Sequence, residues 1–222
     1  MKTLLTTFCT GLMYLLMASC NIASPKMTDN PNPVGLPNSI DLQEYKTAYF
    51  ASGCFWCVEA IYESVYGVTE VISGYAGGST VNPTYLQIGT GRTGHAETVE
   101  VYYDPAKVDF ETLVTVFFDS HDPTTKNRQG PDSGTQYRSI AFYSNEKEKK
   151  IIEDHIEKLT KNQVYSSPIV TEIKPHTVFY KAEEYHQDFE KLNPSHPYVR
   201  QISIPRLNNF KQKSPSLLKE NQ

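Results

Sequence analysis

The sequence predicts an α+β fold: a βαββαβ core of the ferredoxin-like, split-βαβ type, giving a two-layer sandwich in which two helices cover one face of a sheet containing antiparallel pairs. Three observations predict it. Residues 47–51, 68–75, 96–103 and 139–143 are short apolar or alternating runs with the period of strands. Residues 54–66 and 110–119 carry apolar side chains at helical spacing, and each lies between two of those runs. Glycine, proline and polar clusters separate the segments, and no internal repeat is visible.

In chain order, strand 47–51 runs into Ser52-Gly53-Cys54-Phe55-Trp56-Cys57-Val58-Glu59, where two cysteines flank the only tryptophan. The helix that follows is stopped by Gly67. After strand 68–75, residues 76–83 form a glycine-rich loop that matches no phosphate-binding spacing and lacks a Gly-Lys pair, which argues against a nucleotide site. A long loop through residues 85–94 leads to strand 96–103, in which Val99 and Val101 share a face with Glu97. Asp104-Pro105 ends that strand, and Asp109 caps a helix whose stripe is Leu113, Val114, Phe117 and Phe118. Residues 121–134 read as a second polar loop before strand 139–143. The expected additions are a charged helix over 146–161 with Ile151, Ile152, Ile156 and Leu159 inward, a strand at 169–173 and a helix at 182–192. Beyond Asn193 come Pro194, Pro197 and Pro205 without a period, so an extended segment is expected to wrap the domain and fray from Asn208. One catalytic domain over residues 45–207 and a flexible tail over 208–222 follow from this.

The start of the chain has a different character. Residues 1–19 have a basic start at Lys2, an apolar middle and small residues at the end, the pattern of an export signal too short to span a membrane comfortably. Leu16-Met17-Ala18-Ser19-Cys20 resembles a bacterial lipobox, which implies cleavage before Cys20 and lipidation of its thiol, with plain secretion as the alternative. Residues 20–44 contain Pro25, Pro31, Pro33 and Pro37 and no hydrophobic period, and are expected to tether a domain to a membrane. The expected location is therefore outside the cytoplasm, periplasmic or at the cell surface. The formal net charge is −4 and becomes −5 once Lys2 leaves with the signal, and no basic cluster exists, so nucleic acid is not an expected partner.

The cysteines carry the chemistry. Cys54 falls where a strand hands over to a helix, and unpaired N–H groups at a helix N-terminus favour a thiolate, so Cys54 is the expected nucleophile. Residues i and i+3 on a first turn lie at disulfide distance, so Cys54 and Cys57 can oxidise to each other. Of the 4 cysteines, Cys9 leaves with the signal and Cys20 would carry lipid. Any redox cycle then closes within Cys54 and Cys57.

Five segments resemble one known family. Gly53-Cys54-Phe55-Trp56, Asn82-Pro83-Thr84-Tyr85, Thr93-Gly94-His95-Ala96-Glu97, residues 132–139 (Asp-Ser-Gly-Thr-Gln-Tyr-Arg-Ser) and Glu183-Glu184-Tyr185-His186-Gln187 together are similar to the A-type peptide methionine sulfoxide reductases, in the same order, over about residues 47–197. The resemblance implies reduction of the S epimer of methionine sulfoxide, free or in proteins, without a bound cofactor and with an external thioredoxin-type dithiol as reductant. It also implies roles. Cys54 attacks sulfur and becomes a sulfenic acid, Glu97 is the acid, Tyr85 and Tyr137 donate to the sulfoxide oxygen, Asp132 supports binding, and Phe55 and Trp56 wall the S-methyl group. The commoner family pattern has glycine where Cys57 stands and a recycling cysteine in the C-terminal tail. This tail has none, which leaves Cys57 as the recycling residue.

Two other classes fit parts of the sequence. A thioredoxin-like disulfide oxidoreductase shares C-x-x-C at a strand–helix junction and would reduce insulin disulfides but leave methionine sulfoxide untouched. A lipid-anchored metal-binding protein would use the two cysteines with a histidine, although one C-x-x-C without a second pair is a weak zinc signal. The favoured enzyme is expected to be a monomer with no metal.

Overall fold

The computed structural model describes residues 42–220, so the export signal, Cys20 and all but the end of the tether lie outside the described residues. The elements are β1 (Lys46–Ser52), α1 (Phe55–Glu63), β2 (Val68–Ala76), α2 (Tyr85–Gly89), β3 (Ala96–Tyr103), α3 (Phe110–Asp119), the two-residue strands β4 (Arg128–Gln129) and β5 (Asp132–Ser133), β6 (Ser139–Tyr143), α4 (Glu146–Lys161), β7 (Glu172–Pro175), β8 (Phe179–Lys181), α5 (Phe189–Leu192) and α6 (Ile204–Lys213). The main sheet runs β7-β6-β1-β3-β2-β8. All its pairs are antiparallel except β6 with β7, and β4 pairs with β5 as a separate small hairpin. The expected α+β class is the class observed, with both α1 and α3 packed against the core side of the sheet.

Side-chain alternation explains the layers. Ala48 and Phe50 of β1 point into the main core with Val71, Val99 and Val101, where they meet Val58, Ile61 and Tyr62 of α1 and Leu113, Val114 and Phe117 of α3. The Phe50 ring lies 5.1 Å from that of Tyr62 and 5.4 Å from that of Phe117, so both helices close on one strand. Tyr49 and Ala51 point the other way into a smaller cluster with Ala76, Ala96, Ile140 and Phe142. Burial on both faces is why β1 reads as an unbroken apolar run rather than an alternating one.

Five expectations are corrected. The loop expected at residues 85–94 begins with α2, where Thr84 accepts from the Gln87 backbone and Gln87 reaches back to the Thr84 N–H, a capping box. The late strand lies at Glu172–Pro175 rather than at 169–173, because the Val170 N–H bonds to the Pro123 carbonyl and pairing with β6 begins only at Glu172. Residues 182–192 are not one helix. Ala182 extends the edge of β2 through the Ser73 carbonyl, the Gln187 amide bonds both Ser73 backbone groups, and Asp188 sits at φ 51° in the left-handed region, which breaks any continuous helix before α5.

The last correction concerns the tail. Residues 199–203 form a π-helical turn that feeds directly into α6, and Pro205 stands in its first turn, where the missing N–H costs nothing. Phe210 of α6 is fully buried and Leu207, Leu217 and Leu218 pack on the main core, so the fraying expected from Asn208 does not occur up to residue 218. Val65 pairs with Leu218 in an isolated bridge, and α1 ends at Glu63 rather than running to residue 66. Phe210→Ala is expected to cost about 3 to 5 kcal/mol, as for other buried aromatic truncations, read from the shift of the urea unfolding midpoint.

Candidate active site

The chain reverses sharply between β1 and α1. Gly53 adopts φ 95°, and a Cβ there would come within 2.6 Å of the Gln129 side chain, so glycine is required on both counts. This turn places Cys54 at the N-cap of α1, its carbonyl accepting from the N–H groups of Cys57 at 3.2 Å and Val58 at 3.3 Å. The Phe55 N–H, one of the helix's unpaired donors, is taken by Glu97 Oε2 at 3.0 Å. Glu97 comes from β3, is 2% exposed and sits on the same face as Val99 and Val101. Burial raises its pKa to about 8, with the nearby Asp132 and Cys57 charges adding and the Phe55 N–H opposing, so Glu97 is a neutral acid at pH 7.

Cys54 and Cys57 are both free of any disulfide and both buried. Burial and the neighbouring Cys57 push the Cys54 thiol up, while the neighbouring Cys54 draws Cys57 down to about 6 against its own burial, helped by Arg206, Ser203 and Tyr198. Two buried sulfurs coupled in this way titrate as a pair rather than one by one. Glu97 occupies the Phe55 N–H, the helix donor next to Cys54 in the chain.

Aromatic side chains surround this turn. Phe55 is buried, whereas Trp56 is half-buried, lies flat on Phe189 at 3.7 Å and donates its Nε1–H to His186 Nδ1 at 3.2 Å. That bond puts the His186 proton on Nε2, which is buried without a partner among the described residues. Tyr85 stands 4.3 Å from the His186 ring and 6.4 Å from Phe55. Tyr85, Tyr137 and Glu97 line one cleft of about 500 Å³. Burial raises both tyrosines, Tyr85 to about 12, so their hydroxyls stay protonated donors. Leu86 and Tyr185 are exposed at the mouth of the same cleft.

A second cleft of about 540 Å³ is lined by Cys57, Asp132, Tyr198 and Arg206 among others. The structure thus brings Cys54, Phe55, Glu97, Tyr85 and Tyr137 together, and places Asp132 on the Cys57 side. Tyr198 links the two residues there, with its hydroxyl 3.9 Å from Cys57 Sγ and donating to Asp132 Oδ2 at 2.5 Å. Nothing local in the sequence distinguishes Tyr198 among 15 tyrosines, or Arg206 from Arg200 in the same proline-containing segment. Glu183 and His186 carried a signal in their shared motif, yet their tasks needed the fold: Glu183 accepts from the Tyr75 hydroxyl at 2.8 Å and the Tyr85 N–H at 2.9 Å, fixing Tyr85. His95 is structural, accepting from the Gly78 N–H and bonding the Thr80 carbonyl to pin the glycine-rich loop.

The comparisons with known proteins agree with this geometry. Residues 46–217 match the sequence profile of the family described as peptide methionine sulfoxide reductase. The chain is 49% identical over 176 residues to peptide methionine sulfoxide reductase MsrA 2 of Mesorhizobium japonicum, covering 79% of this chain and 90% of that protein. It is 45% identical over 165 residues to peptide methionine sulfoxide reductase MsrA of Picrophilus torridus, covering 74% and 93%. Its fold superposes on methionine sulfoxide reductase A of Corynebacterium diphtheriae with a TM-score of 0.63 and 38% identity, over 69% of this chain and 77% of that one. The chain belongs to the peptide methionine sulfoxide reductase family.

Proposed function

We propose that this oxidoreductase reduces the S epimer of methionine sulfoxide through a Cys54 sulfenic acid and a Cys54–Cys57 disulfide. The observation that carries the reading is the placement of the buried, protonated Glu97 carboxyl against the first N–H of the helix that Cys54 caps. The sulfoxide enters the cleft of Tyr85 and Tyr137, and its methyl group meets the Phe55 and Trp56 rings. Cys54 sulfur attacks the sulfoxide sulfur, its proton passing to Cys57, while Glu97 protonates the sulfoxide oxygen and the tyrosine hydroxyls hold it. The S–O bond of the substrate breaks, the oxygen ends on Cys54 as a sulfenic acid, and methionine leaves. Cys57 then attacks Cys54, water departs and the disulfide forms.

A thioredoxin-type dithiol reduces that disulfide in this scheme, and no bound cofactor takes part. The βαββαβ core is of the ferredoxin-like type, supported by the order β6-β1-β3-β2 of its four strands with every pair antiparallel. The catalytic unit is monomeric, and residues 1–44 export it and hold it at a bacterial membrane through Cys20. Release of Cys20-acylated protein from cells into a detergent phase tests the anchor, and recovery in the aqueous phase sinks it.

Assay with separated epimers tests the reaction. Turnover of the S epimer with none of the R epimer is expected, and equal use of both would overturn the assignment. Cys57→Ser is expected to release one equivalent of methionine and stall, whereas sustained turnover with a thioredoxin-type reductant would show that another thiol resolves Cys54.

A further inference from the structure

The C-terminal helix α6 carries Arg206 into the cleft on the Cys57 side of the site. The guanidinium is fixed there by the backbone. Nε donates to the Ser120 carbonyl at 2.8 Å and Nη2 to the Ser52 carbonyl at 3.0 Å, which locks it against the end of β1. Nη1 takes no acceptor among the described residues and stands 3.6 Å from where a Cβ on Gly53 would lie, one residue from Cys54.

The other charged groups facing this cleft are already committed. Lys213 pairs with Asp119 at 2.9 Å, Asp122 accepts from the Thr124 N–H and hydroxyl, and Asp132 accepts from Tyr198. His121 bonds the Phe117 carbonyl and the Ser139 hydroxyl, and burial and the Arg206 charge hold its pKa down to about 3, so it is neutral. Arg206 is therefore the cation of this cleft without a carboxylate partner among the described residues, and the sulfur that shares the cleft with it is that of Cys57. Cys54 and Glu97 also neighbour that sulfur electrostatically, and neither supplies positive charge.

We propose that Arg206 is a positioning residue for the recycling step, setting its guanidinium charge beside the Cys57 sulfur as that sulfur attacks oxidised Cys54. This rests on the reading of Cys57 as the recycling thiol. Cys57, which took the Cys54 proton in the first step, yields it to the Glu97 carboxylate and gives an electron pair to the Cys54 sulfur; the S–S bond forms and the S–O bond of the sulfenic acid breaks. The departing hydroxide takes from Glu97 the proton that Cys57 has just returned to it, and leaves as water. Cys57 is oxidised and Cys54 reduced by equal amounts, so no further oxidant enters. Arg206 acts by keeping the attacking sulfur ionised near neutral pH, as its contribution to lowering Cys57 indicates. An α6 that packs on α1 thus supplies the recycling step with charge rather than with a thiol.

The test follows, after a single turnover with methionine S-sulfoxide and no reductant, the rate of Cys54–Cys57 disulfide formation relative to the rate of methionine release, across pH 5 to 10. Arg206→Gln and Arg206→Met are expected to lower that ratio about tenfold at pH 7 and move its rise to higher pH by about one unit, the effect of removing one neighbouring charge. Arg206→Lys keeps the charge and is expected to stay within about threefold of the wild-type ratio. A wild-type pH profile in either neutral variant that folds, or a Lys variant as impaired as the Gln variant, overturns the proposal. If the wild-type protein itself forms no Cys54–Cys57 disulfide, the recycling role of Cys57 fails and the role of Arg206 falls with it.

Discussion

Cys54→Ser is expected to reduce methionine sulfoxide turnover to the uncatalysed background, the largest effect of any single substitution in this chain. A hydroxyl in place of sulfur is far less nucleophilic at neutral pH and cannot accept oxygen from a sulfoxide to form a sulfenic acid. Burial makes the loss complete, because Cys54 and Cys57 are both enclosed and no other cysteine lies among the described residues to substitute. The variant should fold as the wild type does, since serine is nearly isosteric and the N-cap position favours it. Measurable steady-state activity in this variant would mean that Cys57 attacks substrate directly, and the division of labour between the two sulfurs would be wrong.

Glu97→Gln is expected to lower kcat on the order of a thousandfold while changing KM little, because an amide keeps the shape of the site and accepts from the Phe55 N–H but has no acidic proton to deliver. The pH dependence supplies a second readout. With its pKa raised to about 8, Glu97 is protonated below that value, so wild-type activity falls as pH rises through it and the residual activity of the Gln variant lacks that limb. Stability follows the same group. Its folded pKa lies above the ordinary value of 4.5, so the stabilising contribution of the protonated form is fully present below 4.5 and is lost as pH rises to about 8. The loss is about 1.4 kcal/mol per pH unit from this residue. Glu59 and Glu63, raised by burial to about 8 and about 7, act in the same direction, so Glu97→Gln flattens the stability profile between pH 5 and 8 without abolishing its slope. An unchanged kcat, or a profile with the alkaline limb intact, would remove Glu97 from the role of acid.

The two parts of the molecule were legible in the sequence to different degrees. β3, α3, β6 and α4 begin and end where periodicity and caps place them, because their stabilising contacts repeat along the chain: Asp109 and Asn145 cap the two helices through side-chain oxygens, and each stripe faces one layer. The segment after residue 175 obeys no local rule. Its backbone is held by single long-range bonds, such as Gln187 on Ser73 and the Asp188 N–H on the buried Glu59 carboxyl at 2.7 Å, and such contacts leave no period to read. The same holds at the site. Cys54, Glu97, Tyr85 and Tyr137 stood inside recognisable motifs, while Tyr198 and Arg206 reach Cys57 from a part of the chain whose only local feature is proline. The helix N-terminus at Cys54 is visible in the sequence, but its occupation by Glu97, 42 residues away, is not.

The central claim is that Cys54 takes the oxygen and Cys57 closes the cycle within one turn of α1. Peptide mapping of the protein after one turnover with methionine S-sulfoxide in the absence of reductant addresses it most directly. The expected result is one equivalent of methionine released, loss of both thiols and a Cys54–Cys57 linked peptide as the product. Recovery of Cys57 as a free thiol after methionine has been released, or of Cys54 joined to a different partner, would contradict the account.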